Sequence, residues 1–66
     1  MNFLIEALEK KLEGEVAVAK ANIQVYIQNA AGIGEHSDIV ETIEKEIAKI
    51  AEAEDKLKVI EGWEDQ

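Results

Sequence analysis

Apolar residues recur along this chain in steps of three and four. Ile5, Leu8, Leu12, Val16, Ala19, Ile23, Tyr26 and Ala30 form one stripe. Ile39, Ile43, Ile47, Ile50, Ala53, Leu57 and Ile60 form a second, with Val40 beside it. That spacing keeps each set on one side of a 3.6-residue turn, so it predicts two amphipathic helices. The first is expected over about 2–31 and the second over about 38–61, with a turn at about 32–37 and a short tail at 62–66.

Local signals set these limits. Asn2 can cap the first helix, and Glu6 sits in its first turn, where a negative charge favours the helix dipole. Gly14 interrupts the stripe without neighbouring turn residues, so it reads as a weak point inside one helix. In the stretch NAAGIGEHSDIV, Gly32 is a natural left-handed stop, Ile33 supplies the apolar contact that often follows one, and Gly34 frees the backbone to reverse. Ser37 or a near neighbour is expected to accept hydrogen bonds from the first amides of the second helix, with Asp38 at the positive end of its dipole. Gly62 is expected to end that helix and leave Trp63 on the tail. Glu41–Lys45, Glu52–Lys56 and Glu54–Lys58 are spaced four apart with the acid first, which suits a solvated helix face.

The two stripes match each other when run in opposite directions. Ile23 falls level with Ile47, Ala19 with Ile50, Val16 with Ala53, Leu12 with Leu57, Leu8 with Ile60, and Ile5 with Trp63. A register that persists along both segments predicts an all-α fold, an antiparallel two-helix hairpin forming a single domain. Its expected core is Ile5, Leu8, Leu12, Val16, Ala19, Ile23, Tyr26, Ile43, Ile47, Ile50, Ala53, Leu57 and Ile60.

Size changes this picture. A chain of 66 residues buries only roughly 60% of the surface its unfolded form exposes, and small domains usually add disulfides, a metal or a partner chain. There is no cysteine and only one histidine, which removes disulfides and thiolate sites and leaves self-association. Leu4, Val18, Val25, Ile27 and Val40 flank the stripes and are the expected oligomer face, with Gly14, Ala17 and Ala21 as a small-residue surface. Two hairpins are expected to dimerise into a four-helix bundle.

Charge then narrows the partners. Fifteen carboxylates against seven lysines, with no arginine, give a net charge of −8. Nucleic-acid binding relies on basic patches and on arginine at base edges, so direct nucleic-acid binding is not expected. An anionic membrane surface repels such a chain, and no apolar run reaches the ~20 residues that span a bilayer. The start MNFLIEALEKK lacks the basic, apolar and cleavage segments of a signal peptide. A cytoplasmic protein is the expectation.

Candidate chemistry is sparse. Glu35, His36 and Asp38 are too few for a specific metal site and lack the calcium-loop spacing. Ser37 beside His36 and Asp38 is not a hydrolase triad, whose members converge from separate elements. GIG lacks the third glycine and the preceding strand of a dinucleotide fingerprint. Tyr26 and Trp63 read as packing residues, since no basic groove surrounds them. Glu15 and Glu54 fall level near the stripe edge, where paired carboxylates can shift their pKa values, but such a pair more often splays into solvent and that is the expectation here. No catalytic, cofactor-binding or metal-ligating residue is assigned.

From Asn22 to Leu57, NIQVYIQNAAGIGEHSDIVETIEKEIAKIAEAEDKL resembles small helical-hairpin proteins encoded by tailed bacteriophages, chiefly through the turn GIGEH and the D-I-V helix start. Ser37 stands where those relatives often carry proline. The resemblance implies a viral source and expression in a bacterial cytoplasm, and it implies no catalytic residues. The expected function is non-enzymatic, a structural or protein-interaction module that forms a homo-oligomer and needs no cofactor. The alternative is an acidic regulator or nucleic-acid mimic that occupies the basic site of a host or viral protein.

Overall fold

A computed structural model describes residues 2–29 and 38–64, and two helices account for nearly all of them: α1, Phe3–Gln28, and α2, Ile39–Glu64. The expected turn with Gly32 and Gly34 lies outside the described residues, as do Ala30, Glu35, His36 and Ser37. The helices pack against each other as an antiparallel hairpin, with principal extents of 49 × 16 × 14 Å.

Caps explain three of the ends. The Asn2 side chain accepts a hydrogen bond from the Leu4 amide (2.7 Å), satisfying one of the donors that a helix start leaves free. Asn29 closes α1, where the sequence carried the helix to about residue 31; its own amide donates to the Val25 carbonyl (2.9 Å). Asp38 opens α2. Its carboxylate accepts from the Glu41 amide (2.9 Å), and its carbonyl accepts from both the amide and the hydroxyl of Thr42 (3.0 and 2.9 Å). A carboxylate there also meets the positive end of the dipole.

The far end of α2 differs from the expectation. The helix runs through Gly62 to Glu64, so Trp63 sits on its last turn and not on a tail. Glycine permits a left-handed stop but does not impose one, and no proline follows to enforce it.

Burial picks out a seam with strict alternation. On α1 the buried and half-buried positions are Ile5, Glu9, Leu12, Val16, Ala19, Ile23 and Tyr26, and on α2 they are Ile39, Ile43, Glu46, Ile50, Ala53, Leu57 and Ile60. Both sets advance by four, then three, the repeat that keeps one face of a helix turned to a partner. Asn22 and Thr42 are half-buried beside the seam. Its centre is Leu12, Ala53 and Ile60, against which Ile5, Val16 and Leu57 pack.

Two expected core residues are corrected. Leu8 (40% exposed) and Ile47 (53% exposed) sit on the flanks of the seam, and Glu9 and Glu46 take the places next to them. A helix turns as a unit. Leu12, Val16, Ala19, Ile23 and Tyr26 fix its phase, and one residue is 100° of rotation, too far for Leu8 to swing inward. The same reasoning applies to Ile47, with Ile43, Ile50, Ala53 and Leu57 setting the phase of α2.

Candidate functional site

The most structured chemistry lies midway along the seam, around Glu46. Burying a carboxylate is costly unless its oxygens find partners. Asn22 of α1 donates its side-chain amide to Glu46 Oε1 (2.9 Å), and Lys49, one turn along α2, donates its ammonium to Oε2 (2.8 Å). Only the Lys49 end reaches solvent freely. Among the described residues, no buried side-chain nitrogen or oxygen lacks a partner. The hydrogen bond from Lys49, then that from Asn22, holds the Glu46 carboxyl below the usual carboxylate range. The same pairing with Glu46 raises the ammonium of Lys49.

Next to this cluster, Glu15 accepts from Lys11 one turn earlier on α1. That hydrogen bond lowers its pKa, with smaller help from the charges of Lys11 and of Lys56 across the hairpin. Glu15 is thus engaged by lysines and not by Glu54, in keeping with level carboxylates that splay apart. A groove of about 450 Å³ runs over these groups, lined by Lys11, Gly14, Glu15, Val18, Glu46 and Lys49 among others.

The site is a set of paired charges. Both carboxyls titrate below the usual carboxylate range, and each is engaged by a lysine ammonium. Lys11 and Lys49 already contact carboxylates. Among the described residues no group of three or more histidine, cysteine, aspartate or glutamate side chains is arranged to hold a metal ion. Among the described residues, no helix is long and apolar enough to cross a membrane.

Sequence reasoning missed Glu46, Asn22 and Lys49, because a search for apolar positions passes over a buried acid. The strict alternation of four and three, carried on from Ile39 and Ile43, points to it. The expected oligomer residues are all exposed, but they do not share one surface. At 100° per residue, Leu4, Val18 and Val25 lie on one side of the seam, whereas Ile27 and Val40 lie on the other, beside Ile47. Of the three acid-first pairs expected on α2, Glu41–Lys45 and Glu52–Lys56 close at 3.6 and 3.1 Å, whereas Glu54–Lys58 forms no ion pair.

The fold thus defines an all-α protein of one helical hairpin. Compared with known proteins, the chain matches no family model, and no curated protein or solved structure matches it significantly.

Proposed function

We propose that this chain is a non-enzymatic structural or interaction module that works as a self-associated helical hairpin, two copies forming a four-helix bundle. One observation carries the reading: a two-helix chain keeps Leu4, Val18, Val25, Ile27, Val40 and Trp63 each more than half exposed, while among the described residues its buried hydrophobic core is only Leu12, Ala19, Ala53 and Ile60. So much exposed apolar surface, shared between the two sides of so small a hairpin, is the kind that marks protein interfaces. The phage-like stretch fits a small viral accessory protein made inside a bacterial cell. The acidic regulator remains the second reading, supported by Glu6 and Glu13 on α1 falling opposite Glu61 and Glu54 on α2 along one flank.

Sedimentation equilibrium at micromolar concentration and moderate salt tests the first reading. The expected species has twice the chain mass of 7.3 kDa. A cooperatively folded monomer under those conditions overturns it.

A further inference from the structure

The two flanks of the hairpin are not equivalent. In an antiparallel pair, residues that follow the seam on one helix face those that follow it on the other, so each broad side of the hairpin draws on both helices. One side carries Leu4, Leu8, Val18 and Val25 from α1 and Val59 and Trp63 from α2. Along the same side run Lys11, Lys45, Lys49 and Lys56 with only Glu15 and Glu52, a surplus of cations in a chain whose net charge is −8. The opposite side carries Ile27, Val40 and Ile47 towards one end and Phe3 at the other, with Glu6, Glu13, Glu54 and Glu61 between them interspersed with Lys10, Lys20 and Lys58.

We infer that the lysine-bearing side is the surface that takes a second copy of this chain, with the free ends of the two hairpins side by side and Trp63 as the anchor. The inference rests on the self-association proposed above and names its face and orientation. Two features support it. Through a twofold axis either side sets like charge against like, lysines on one and glutamates on the other, so charge does not choose between them. Apolar surface does: this side exposes Leu4, Leu8, Val18, Val25, Val59 and Trp63, the other Phe3, Ile27, Val40 and Ile47. The footprint of one broad side, 49 Å by 16 Å, is comparable with the ~800 Å² per partner that a stable interface buries.

The orientation follows from where the apolar weight sits. Leu4 and Leu8 are one turn apart on α1, and Val59 and Trp63 are one turn apart at the same level on α2. They form a single apolar cluster at the free end. Aligned copies place cluster on cluster, Trp63 of each against Leu4 and Leu8 of the other. Reversed copies set that cluster against Val25, Thr42 and Lys45, which offer it less apolar surface than Leu4, Leu8, Val59 and Trp63 do. Large aromatic anchors of this kind dominate interface energetics. The groove over Glu46 and Lys49 then lies inside the contact.

The test compares equal insertions of charge on the two sides. Val18→Glu and Val59→Glu replace exposed residues of the lysine side, and Ile47→Glu replaces one of the other; helicity by circular dichroism confirms that each variant folds. The expectation is that Ile47→Glu keeps the dimer, whereas Val18→Glu and Val59→Glu each weaken it at least tenfold. The fluorescence of the sole tryptophan should shift to the blue as wild type assembles. Spin labels at Gln28→Cys should then report a separation near the width of the bundle, since reversed copies hold them about one molecular length, 49 Å, apart. A monomeric wild type overturns the self-association reading itself. A wild-type dimer that survives Val18→Glu and Val59→Glu, or that breaks only with Ile47→Glu, leaves that reading standing and overturns this one. Label separations of a full molecular length overturn the aligned orientation.

Discussion

Glu46 occupies a seam position of α2 whose counterparts are isoleucine, leucine and alanine. An alkyl side chain there buries more apolar surface, so the carboxylate gives up some packing in exchange for two directed bonds, to Asn22 and Lys49. Polar groups in such seams hold a register that apolar contacts alone leave free to slide. The pairing also ties stability to pH. Its carboxyl titrates lower in the folded chain than in the unfolded one, so its stabilising contribution is complete above the unfolded carboxylate range and is lost as pH falls through the folded value. The Lys49 ammonium has the opposite dependence: its contribution is complete below the ordinary lysine pKa and fades as pH rises through the raised value. The melting temperature of wild type should therefore exceed that of Glu46→Gln by a constant margin at neutral pH, and the margin should shrink below pH ~4. The difference between the two proteins isolates this pair, because both share the relief of acidic repulsion that low pH brings. Leu12 is the largest fully buried side chain. Truncating it to alanine removes a contact at the centre of the core cluster and should cost ~2–5 kcal/mol, enough to unfold a small domain, as thermal denaturation followed at 222 nm would show.

At the scale of the helix, the caps and the seam determine which segments are helical, and the two glycines weaken them. Gly14 lies inside α1, and a methyl group added there meets no atom within 4 Å. Gly14→Ala should therefore stabilise the chain by up to ~1 kcal/mol, raising the melting temperature by about 5 °C. Gly62 is equally open on α2, and alanine there should extend the same gain to the turn that carries Trp63. The surface ion pairs contribute less. Lys10–Glu13, Lys45–Glu41 and Lys56–Glu52 are all solvent-exposed, where such pairs are worth roughly 0–1 kcal/mol each.

At the scale of the whole molecule, shape and charge oppose each other. A rod 49 Å long and about 15 Å across has little interior and much side surface, which favours association. Doubling a charge of −8 disfavours it. Salt screens the repulsion over distances beyond the Debye length of ~10 Å at 0.1 M while leaving apolar contacts intact. Dimerisation should accordingly strengthen several-fold between low and moderate ionic strength, as sedimentation at both would report. An acidic mimic seated on a basic partner would show the reverse trend, its complex loosening as salt rises.

Much of this architecture is legible in the chain alone. The two helices, the cap at Asn2 and the antiparallel pairing follow from periodicity and from the hydrogen-bonding needs of helix ends, which are local or nearly so. The chain alone narrows the second cap only to Ser37 or a near neighbour, and the structure puts it at Asp38. The phase of the seam is not local. Apolar spacing admits Leu8 or Glu9, and Ile47 or Glu46, and only the packing of one rigid helix on another decides between neighbours 100° apart. The same packing divides Leu4, Val18 and Val25 from Ile27 and Val40, because a position flanking the seam acquires a side only once the partner helix is in place. Tertiary structure likewise brings Asn22 to Glu46 and Lys56 to Glu15, residues on separate helices whose meeting depends on how the two are rotated about their axes.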